Sequence, residues 1–339
     1  MEILVRQSAD VAPDRELPMI PPLKPQYRLG ALSEVRDYNH DLANIPEAWK
    51  TTMGKGVKIA ILDSGVPKHI DLSVEGGHSF IDGYYFDKCY HATFVGGITS
   101  AIANNGIGVR GIAPEAVDYY GAVLNATGSG TVEQIVRGIY WAVDEIGADV
   151  INMSLGITGS YRPDRSLEKA CNYANEHGTV LFASAGNDAL SVNYPAKYDS
   201  VVAVAAVDRN NKVASFSSHG PEVEFAAGGV DVLSTYKDNG YASMSGTSFS
   251  CPVVASVGAL ILSQAKSRNE KISPEELRRR LKLFAYDVGP AGWDEYTGHG
   301  IPVFTKDCFT AEAETVQPKP GRQSFFTRLL NKLKLVFGR

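Results

Sequence analysis

The stretch VKIAILDSG, residues 57–65, contains four consecutive apolar residues and then an aspartate, a serine and a glycine. A continuous apolar run of this kind is typical of a strand that is buried on both faces of a parallel sheet. Similar runs recur along the chain, namely DYYGAVL (118–124), ADVINMSLG (148–156), GTVLFASAGN (178–187) and SVVAVAAVD (200–208). These runs predict the strands of one sheet.

Helical patterns lie between most of these strands. The segment TVEQIVRGIYWAVDEIGA places apolar residues at helical spacing, at Ile135, Ile139, Val143 and Ile146. The segment RSLEKACNYANEHG ends at Gly178, a residue type that often caps helix C-termini, and SPEELRRRLKLFA offers Ser273 and Glu276 as a capping box. The alternation predicts an α/β fold: a doubly wound, mostly parallel sheet with helices on both faces. Sites in such sheets lie at the carboxyl ends of the strands.

The composition is that of a globular protein, with 339 residues, of which 44% are hydrophobic and 21% charged. A formal net charge of -5 gives no reason to expect a nucleic-acid partner. We find no run of 18 apolar residues and no signal-peptide pattern at the start, and therefore expect a cytoplasmic location. The cysteines form no CxxC pair and are expected to be free thiols: Cys89, Cys171, Cys251 and Cys308.

The two ends of the chain differ from its middle. Residues 1–37 are rich in proline and predict an extended arm, whereas residues 38–306 predict one folded domain. Residues 307–321 have the composition of a polar linker. Residues 322–339 combine an apolar helical face with basic residues and no acidic one. Such a helix suits an anionic membrane surface or a partner protein, and packing on its own domain is the alternative.

Three polar residues stand at the ends of predicted strands or helices. Asp63 ends an apolar strand, His91 opens the helical pattern HATFVGGITSAIAN, and Ser248 begins the apolar helix SFSCPVVASVGALIL. A serine at a helix N-terminus lies near partial positive charge, which favours a developing anion. The three could act together as nucleophile, base and orienting carboxylate. Taken singly, the simpler interpretation is favoured for each: Asp63 as a turn residue, His91 as a buried core histidine and Ser248 as a helix cap.

The order Asp, His, Ser in ILDSG, HATFVGG and SGTSFSCPVV resembles that of the subtilisin-type serine peptidases. Further segments match in order over roughly residues 45–304, among them ANNGIGVRGIAPEA, INMSLG, ASAGN and SFSSHGPEVEF. The resemblance implies a serine endopeptidase that cleaves polypeptide substrates. In it Ser248 would be the nucleophile, His91 its base and Asp63 the group that orients the imidazole. Asn187 would form the oxyanion hole with the backbone N–H of Ser248.

The resemblance also implies where a peptide substrate would bind. The peptide would add as a strand between two edges of the protein. The implied edge residues are Ser154, Leu155, Gly156, Gly128 and Gly130. Asn193 stands where many relatives have a small residue, so the pocket for the residue before the scissile bond is expected to be shallower or more polar than usual.

The loop ANNGIGV resembles the calcium loop of the same family. The implied ligands are the backbone carbonyls of Ala103, Ile107 and Val109 and the side chains of Asn105 and Asp71. Calcium accepts mixed oxygen ligands of this kind, and its role would be structural. A metal-free glycine turn is the alternative, because a single carboxylate attracts a cation weakly.

Within the arm, the segment ELPMIPPLKP (16–25) resembles the short extension of intracellular subtilisins, which lies over the active cleft until it is cut. Its prolines would resist cleavage while its extended backbone docks. Disorder of the arm is the alternative.

The chain departs from the family pattern beside His91. Ala92 follows it where glycine is usual, Phe94 replaces a second histidine, and Tyr90 stands where glycine is common. A displaced imidazole would lower activity. One alternative is therefore a pseudoprotease that serves as a binding or signalling module, and another is a peptidase restricted to a single processing event.

Overall fold

The main sheet holds seven strands, all parallel, in a computed structural model that describes residues 15–30, 32–157 and 165–305. The strands are β1 (Leu17–Pro18), β2 (Tyr27–Leu29), β3 (Lys58–Asp63), β4 (Gly76–Ser79), β5 (Val117–Ala122), β6 (Ser129–Gly130), β7 (Val150–Met153), β8 (Val180–Ser184), β9 (Val201–Val207), β10 (Val223–Gly228), β11 (Val232–Thr235), β12 (Tyr241–Met244), β13 (Ala285–Tyr286) and β14 (Ile301–Pro302). The helices are α1 (Asn39–Leu42), α2 (Ile45–Ala48), α3 (His91–Ser100), α4 (Val132–Trp141), α5 (Arg165–Glu176), α6 (Thr247–Ser267) and α7 (Pro274–Leu283).

The strand order is β10-β9-β8-β7-β3-β5-β4, and every strand that the apolar runs predict belongs to this sheet. The order reverses at β3, which pairs with β5 on one side and β7 on the other. Ligands of doubly wound sheets bind beyond the strand ends at such a reversal. The predicted fold class is confirmed.

The pleat of β3 shows why both faces of the sheet must be covered. Ile59 and Ile61 lie in one core with α3 and α6, whereas Ala60 and Leu62 lie in a second core with α4 and α5. Successive side chains of a strand point to opposite faces, so an uninterrupted apolar run requires a helical layer on each face.

Helix α6 is the central helix of the first core. It is long and apolar enough to span a membrane, but its most apolar stretch is entirely buried inside the domain. A core helix of this kind satisfies the same criteria of length and hydropathy as a membrane span. We therefore interpret α6 as the core helix on which the sheet packs.

The helix ends agree only in part with the sequence signals. Ser273 caps α7 by accepting a hydrogen bond from Glu276 N, but the Glu276 side chain pairs with Arg279 and Arg280, so only half of the predicted capping box forms. The complete capping box lies at Thr131, which the sequence reasoning did not select. Two arginines one turn on compete successfully for the carboxylate.

The arm packs on the domain through two short strands. β1 pairs antiparallel with β6, and β2 pairs antiparallel with β12. The predicted linker at residues 307–321 and the predicted basic helix at residues 322–339 lie outside the described residues.

Candidate active site

Asp63 and His91 form a buried pair at the carboxyl end of β3. Asp63 is the last residue of β3 and His91 the first of α3, and both side chains are nearly inaccessible to solvent. His91 Nδ1 lies 2.8 Å from Asp63 Oδ1 and 2.9 Å from Oδ2. Because an ionised carboxylate only accepts hydrogen bonds, Nδ1 carries the proton that is donated to Asp63. The Nε2 atom of a neutral imidazole is then free to act as a base.

Ser248 stands in the first turn of α6, where the helix dipole supplies partial positive charge. Its Oγ donates a hydrogen bond to Ser154 O at 3.1 Å. Within the part of the chain that the structure describes, no hydrogen bond joins this hydroxyl to His91. The candidate nucleophile and its candidate base therefore line one cavity without a hydrogen bond between them among the described contacts.

Asn187, in the loop after β8, lines the cavity that His91 and Ser248 also line. We call this cavity and its continuation between the two substrate edges the groove. Asn187 Oδ1 accepts hydrogen bonds from Thr247 N at 2.8 Å and from Thr247 Oγ1 at 3.0 Å. With its oxygen held in this way, the NH₂ group remains available as a donor beside the cavity that Asn187 and Ser248 both line. Thr247 is a supporting residue that the sequence reasoning missed, and its position directly before Ser248 was the available signal.

The thiols near the triad are poor nucleophiles. Cys251 is fully buried, and burial raises the pKa of its thiol well above the usual range. Burial, assisted by the Asp87 and Asp63 carboxylates, raises the pKa of the Cys89 thiol to about 12. Both thiols therefore stay protonated near neutral pH, and Ser248 is the better candidate.

The departures beside His91 have a packing explanation. Phe94 is buried with its ring centroid 4.4 Å from that of Phe249, and the Phe249 ring lies 5.7 Å from the imidazole of His91. Tyr90 adopts a φ of 67°, a conformation that glycine adopts more easily. These changes leave the contact between Asp63 and His91 intact, so the geometry gives no support to an inactive binding module.

The two predicted substrate edges hold the arm of the same chain between them. On one edge, Leu17 pairs with Gly130, and the N–H groups of Met19 and Ile20 donate to Gly128 O at 3.0 and 3.2 Å. On the other edge, Gly156 N donates to the carbonyl of Met19 at 2.9 Å. An extended segment therefore bonds to both edges at once, in the manner of an added strand.

Leu155 contributes to its edge through the backbone alone. Its side chain is fully buried in the second core, and its carbonyl accepts a hydrogen bond from Ser184 Oγ. Leu155 can therefore serve the predicted edge only through its backbone, because the alternation along the edge points its side chain into the core.

Asn193 fills the space between the walls of the adjoining pocket. Only 7% of the residue is exposed. A Cβ added to Gly156 would lie 3.1 Å from Asn193 Cβ, and one added to Gly186 would lie 2.4 Å from Asn193 Nδ2. The amide thus lies against both glycines at the edge of a cavity of about 270 Å³ that Ser248 also lines.

Beyond Ile20 the arm borders the cavities that Ser248 and His91 line. Pro21 and Pro22 line the cavities that contain Ser248, and one of these also contains His91. Gln26 then donates from Nε2 to Ser245 Oγ at 2.7 Å, and β2 follows. The described arm therefore occupies the groove on both sides of the candidate nucleophile.

The predicted calcium loop folds around Asp71, which is fully buried. Asp71 accepts hydrogen bonds from Asn105 Nδ2 at 2.6 Å and Val109 N at 3.0 Å. Gly108 has a φ of +66°, and a Cβ there would lie 2.1 Å from Asp71 Oδ2. Burial raises the pKa of Asp71, and the nearby Glu34 carboxylate raises it further. A buried carboxylate under these conditions would be stabilised by a cation.

The remaining donors of the loop fit the same ion. Among the described residues, no hydrogen bond ends on the carbonyls of Ala103, Ile107 or Val109. Glu34 lies beside the loop, accepts from Asn104 N and pairs with Arg110 at 2.8 Å. The sequence reasoning missed Glu34 because it belongs to the arm, far from the loop along the chain. Oxygen donors of this mixed type suit calcium.

The sequence of this chain is similar to those of known proteases. A sequence model of the Subtilase family matches residues 54–300. The chain is 41% identical over 269 residues to the minor extracellular protease Epr of Bacillus subtilis, and the aligned region covers 78% of this chain and 40% of that protein. It is 45% identical over 239 residues to the thermostable alkaline protease of Halalkalibacterium halodurans, covering 70% and 64%.

A further relative is matched over most of its own length. The chain is 45% identical over 257 residues to Subtilisin DY of Bacillus licheniformis, which covers 73% of this chain and 89% of that protein. The chain spans less than two thirds of the length of the first two relatives. The family model nevertheless covers most of the chain. The chain belongs to the subtilase family.

Proposed function

We propose that this protein is a serine endopeptidase that hydrolyses peptide bonds in polypeptide substrates. The observation that carries the proposal is the groove itself: an extended peptide segment bonds to two backbone edges and lines the same cavities as Ser248. His91 lines one of these cavities and is bonded to Asp63. The names of the related proteases support the same activity.

The reaction follows from the roles that these groups can take. Ser248 Oγ attacks the scissile carbonyl while His91 Nε2 accepts its proton, and Asp63 stabilises the imidazolium through Nδ1. The amide of Asn187 and the N–H of Ser248 donate to the oxyanion that forms. His91 then gives the proton to the leaving amine, and water hydrolyses the acyl-enzyme by the same steps.

A fluorophosphonate probe tests this function directly, because it reacts with a serine that a neighbouring base activates, whatever the natural substrate. We expect labelling of the wild-type protein that disappears in Ser248→Ala and falls strongly in His91→Ala. Ser250→Ala, two residues further along α6, is the matched control and should label normally. A folded protein that is not labelled in any form would contradict the proposal.

We further propose that the arm inhibits the enzyme. Leu17, Met19 and Ile20 are buried against the groove, and the segment bonds to both substrate edges. At the nucleophile the arm presents Pro21 and Pro22, so the bond between them is a tertiary amide whose backbone lacks an N–H donor. The Ser248 hydroxyl is meanwhile bonded to Ser154 O, which leaves His91 Nε2 without it.

Displacing the arm tests the inhibition in the full-length chain. The double variant Met19→Asp and Ile20→Asp puts two charges where the arm is buried, so the arm should leave the groove. We expect the rate of fluorophosphonate labelling to rise by about 10-fold or more, since the arm competes at the high effective concentration of a tethered segment. Leu32→Asp, outside the groove, is a control. An unchanged rate in the double variant would refute an inhibitory role.

We propose calcium as a structural ion of the loop around Asp71, held by that carboxylate, by the side-chain oxygen of Asn105, which also accepts from Ile107 N at 2.9 Å, and by the carbonyls of Ala103, Ile107 and Val109. The ion would stabilise the loop and take no part in the reaction. At a concentration of 100 times Kd, a native-state ligand adds about 2.7 kcal/mol of stability. That corresponds to a rise in Tm of about 5–10 °C for a domain of this size.

Thermal unfolding followed by circular dichroism measures this effect independently of activity. We expect calcium to raise the Tm relative to chelator, and Asp71→Asn to abolish the difference. Magnesium should have little effect, since it demands a smaller octahedral site. Equal Tm values with calcium and with chelator would contradict the assignment.

A reducing compartment, as expected for a cytoplasmic enzyme, is our proposal for the location. Its support is that Cys89, Cys171 and Cys251 are all unpaired. Fractionation of the native cells, with an antibody to the folded domain, would test it: recovery only from the medium would contradict it.

A further inference from the structure

Asp87 is a buried carboxylate next to the triad that the reaction above does not use. Its two oxygens accept five hydrogen bonds, from Ser64 Oγ, Cys89 N, Tyr90 N, Thr93 N and Thr93 Oγ1. No lysine, arginine or histidine among the described residues forms an ion pair with it. A buried charge without a cation is costly, so these donors are what stabilises it there.

The first branch of this network caps helix α3. Tyr90 occupies the N-cap position but makes no side-chain cap. Asp87 instead accepts hydrogen bonds from Tyr90 N at 2.7 Å and from Thr93 N at 2.8 Å. A negative charge at this end also interacts favourably with the helix dipole. Asp87 thereby fixes the turn of helix on which His91 stands.

The second branch runs through Ser64 to the other member of the pair. Ser64 Oγ donates to Asp87 Oδ1 at 3.0 Å and accepts from Ala92 N at 3.0 Å. Ser64 N donates to Asp63 Oδ1 at 2.6 Å. One carboxylate therefore connects the end of β3, which carries Asp63, to the start of α3, which carries His91.

The backbone of this junction also fixes Asp87. Gly65 has a φ of +137°, and a Cβ there would lie 2.7 Å from the Cα of Asp87. Asp87 N donates to Val66 O at 2.9 Å, and Val66 N donates to Tyr85 O at 2.9 Å. The backbone of the segment that carries Asp87 is thus fixed against the turn after β3 by contacts that do not involve its side chain.

We propose that Asp87 is a positioning residue of the triad: it holds Ser64 and the first turn of α3 and so sets the 2.8 Å contact between Asp63 and His91. The inference rests on the proposed function, because it concerns the geometry of the same reaction. Burial raises the pKa of Asp87 to about 6, so near neutral pH both oxygens remain acceptors.

The variant Asp87→Asn tests this role with little change of shape. Either orientation of its amide turns an NH₂ group toward a backbone N–H, of Tyr90 on one side or Thr93 on the other. On an arm-displaced background we expect kcat to fall about 10–100-fold while KM changes less than about twofold, since an imidazole misplaced by 1 Å can cost about 100-fold. Unchanged kcat would overturn the proposal.

Asp118→Asn is the matched control at the other end of the same helix. Asp118 is also fully buried and accepts hydrogen bonds from Thr99 Oγ1 and Ser100 Oγ, without a bond to the triad. It should keep kcat within about twofold of the parent, because remote sites act independently. An equal loss of kcat in both variants would mean that Asp87 only stabilises the helix, and would overturn the proposal.

A second measurement separates positioning from activity. In Ser248→Ala protein, the downfield proton resonance of His91 Nδ1 reports its hydrogen bond to Asp63 without any catalysis. We expect it to persist in the parent and with Asp118→Asn, and to shift or vanish with Asp87→Asn. If the parent enzyme is inactive, the proposed function fails and this resonance alone decides the positioning role. A resonance that Asp87→Asn leaves unchanged refutes that role.

Discussion

At the scale of single residues, Asn193 determines how deep the pocket beside Ser248 can be. Its amide lies against the two glycines, Gly156 and Gly186, that form the walls. A Cβ at Gly186 would clash with the Asn193 amide at 2.4 Å, and one at Gly156 would make a tight contact with Asn193 Cβ at 3.1 Å, so the amide fits because both walls lack a side chain. A shallow pocket with a polar group at its bottom favours small or polar side chains in the substrate residue before the scissile bond.

The variant Asn193→Gly should deepen this pocket. We expect kcat/KM for peptides with phenylalanine before the scissile bond to rise about 10-fold or more relative to peptides with alanine, since each added methylene in an apolar pocket is worth about 10-fold or more. Peptide hydrolysis by arm-displaced enzyme measures the ratio. Asn210→Gly, in an exposed turn, is the control and should leave it unchanged. A constant ratio in Asn193→Gly would show that another residue limits the pocket.

At the level of secondary-structure elements, α3 packs against a buried carboxylate at each end: Asp87 at its N-terminus and Asp118 of β5 at its C-terminus. Asp118 lies under its C-terminal end, where Thr99, Ser100 and Tyr120 donate to Oδ2, and among the described residues Oδ1 has no partner. Burial raises the pKa of Asp118 from 3.8 to about 6. Between these values the folded protein binds a proton on Asp118 that the unfolded chain has lost. The stabilisation that the proton on Asp118 gives the folded state therefore falls as the pH rises through this window and is fully lost above about pH 6.

The variant Asp118→Asn removes this titration. We expect the free energy of unfolding of Asp118→Asn, relative to the wild type, to increase by about 1–3 kcal/mol between pH 4 and pH 7. Urea denaturation at the two pH values measures the difference. Asp41→Asn, whose carboxylate is 70% exposed, should show no such change. A difference that is independent of pH, or that changes in the opposite direction, would contradict the assignment.

At the scale of the whole molecule, the arm connects the start of the chain to a groove built from much later segments. It bonds in turn to β6, to Gly156, and through β2 to β12, the strand that leads into Ser248. The arm behaves as a bound peptide whose tether removes the entropic cost of association. Pro21 and Pro22 line both cavities that Ser248 lines, so the arm segment nearest the candidate nucleophile contains two tertiary amides.

Replacing both prolines should turn the arm from an inhibitor into a substrate. With Pro21→Ala and Pro22→Ala, the backbone regains its N–H groups and a secondary amide over Ser248. We expect purified protein to cut its own arm near residues 20–23, which mass spectrometry would detect. The same substitutions with Ser248→Ala should leave the arm intact. Persistence of the intact arm in active protein would show that the prolines are not what prevents cleavage.

The sequence alone predicted five of the seven strands of the main sheet, most of the helices and the residue types of the site, but not β4 or β10. Apolar runs that end in Asp63, Ser154 and Asn187 carry their signal locally, because a strand buried on both faces must be apolar throughout. The family resemblance supplied the roles of these residues. The sequence predicted the helix ends less well: at Ser273 only half of the capping box forms, because two nearby arginines compete for the Glu276 carboxylate.

Contacts between groups that are distant along the chain became visible in the folded domain. Folding placed the arm at the cavities that Ser248 lines, turned Leu155 into the core, brought Glu34 to the calcium loop and connected Asp87 to both members of the buried pair. None of these contacts has a periodic signal in the chain. They depend on strand order and on which backbone segments approach each other, and these follow from the packing of the whole sheet and its helices.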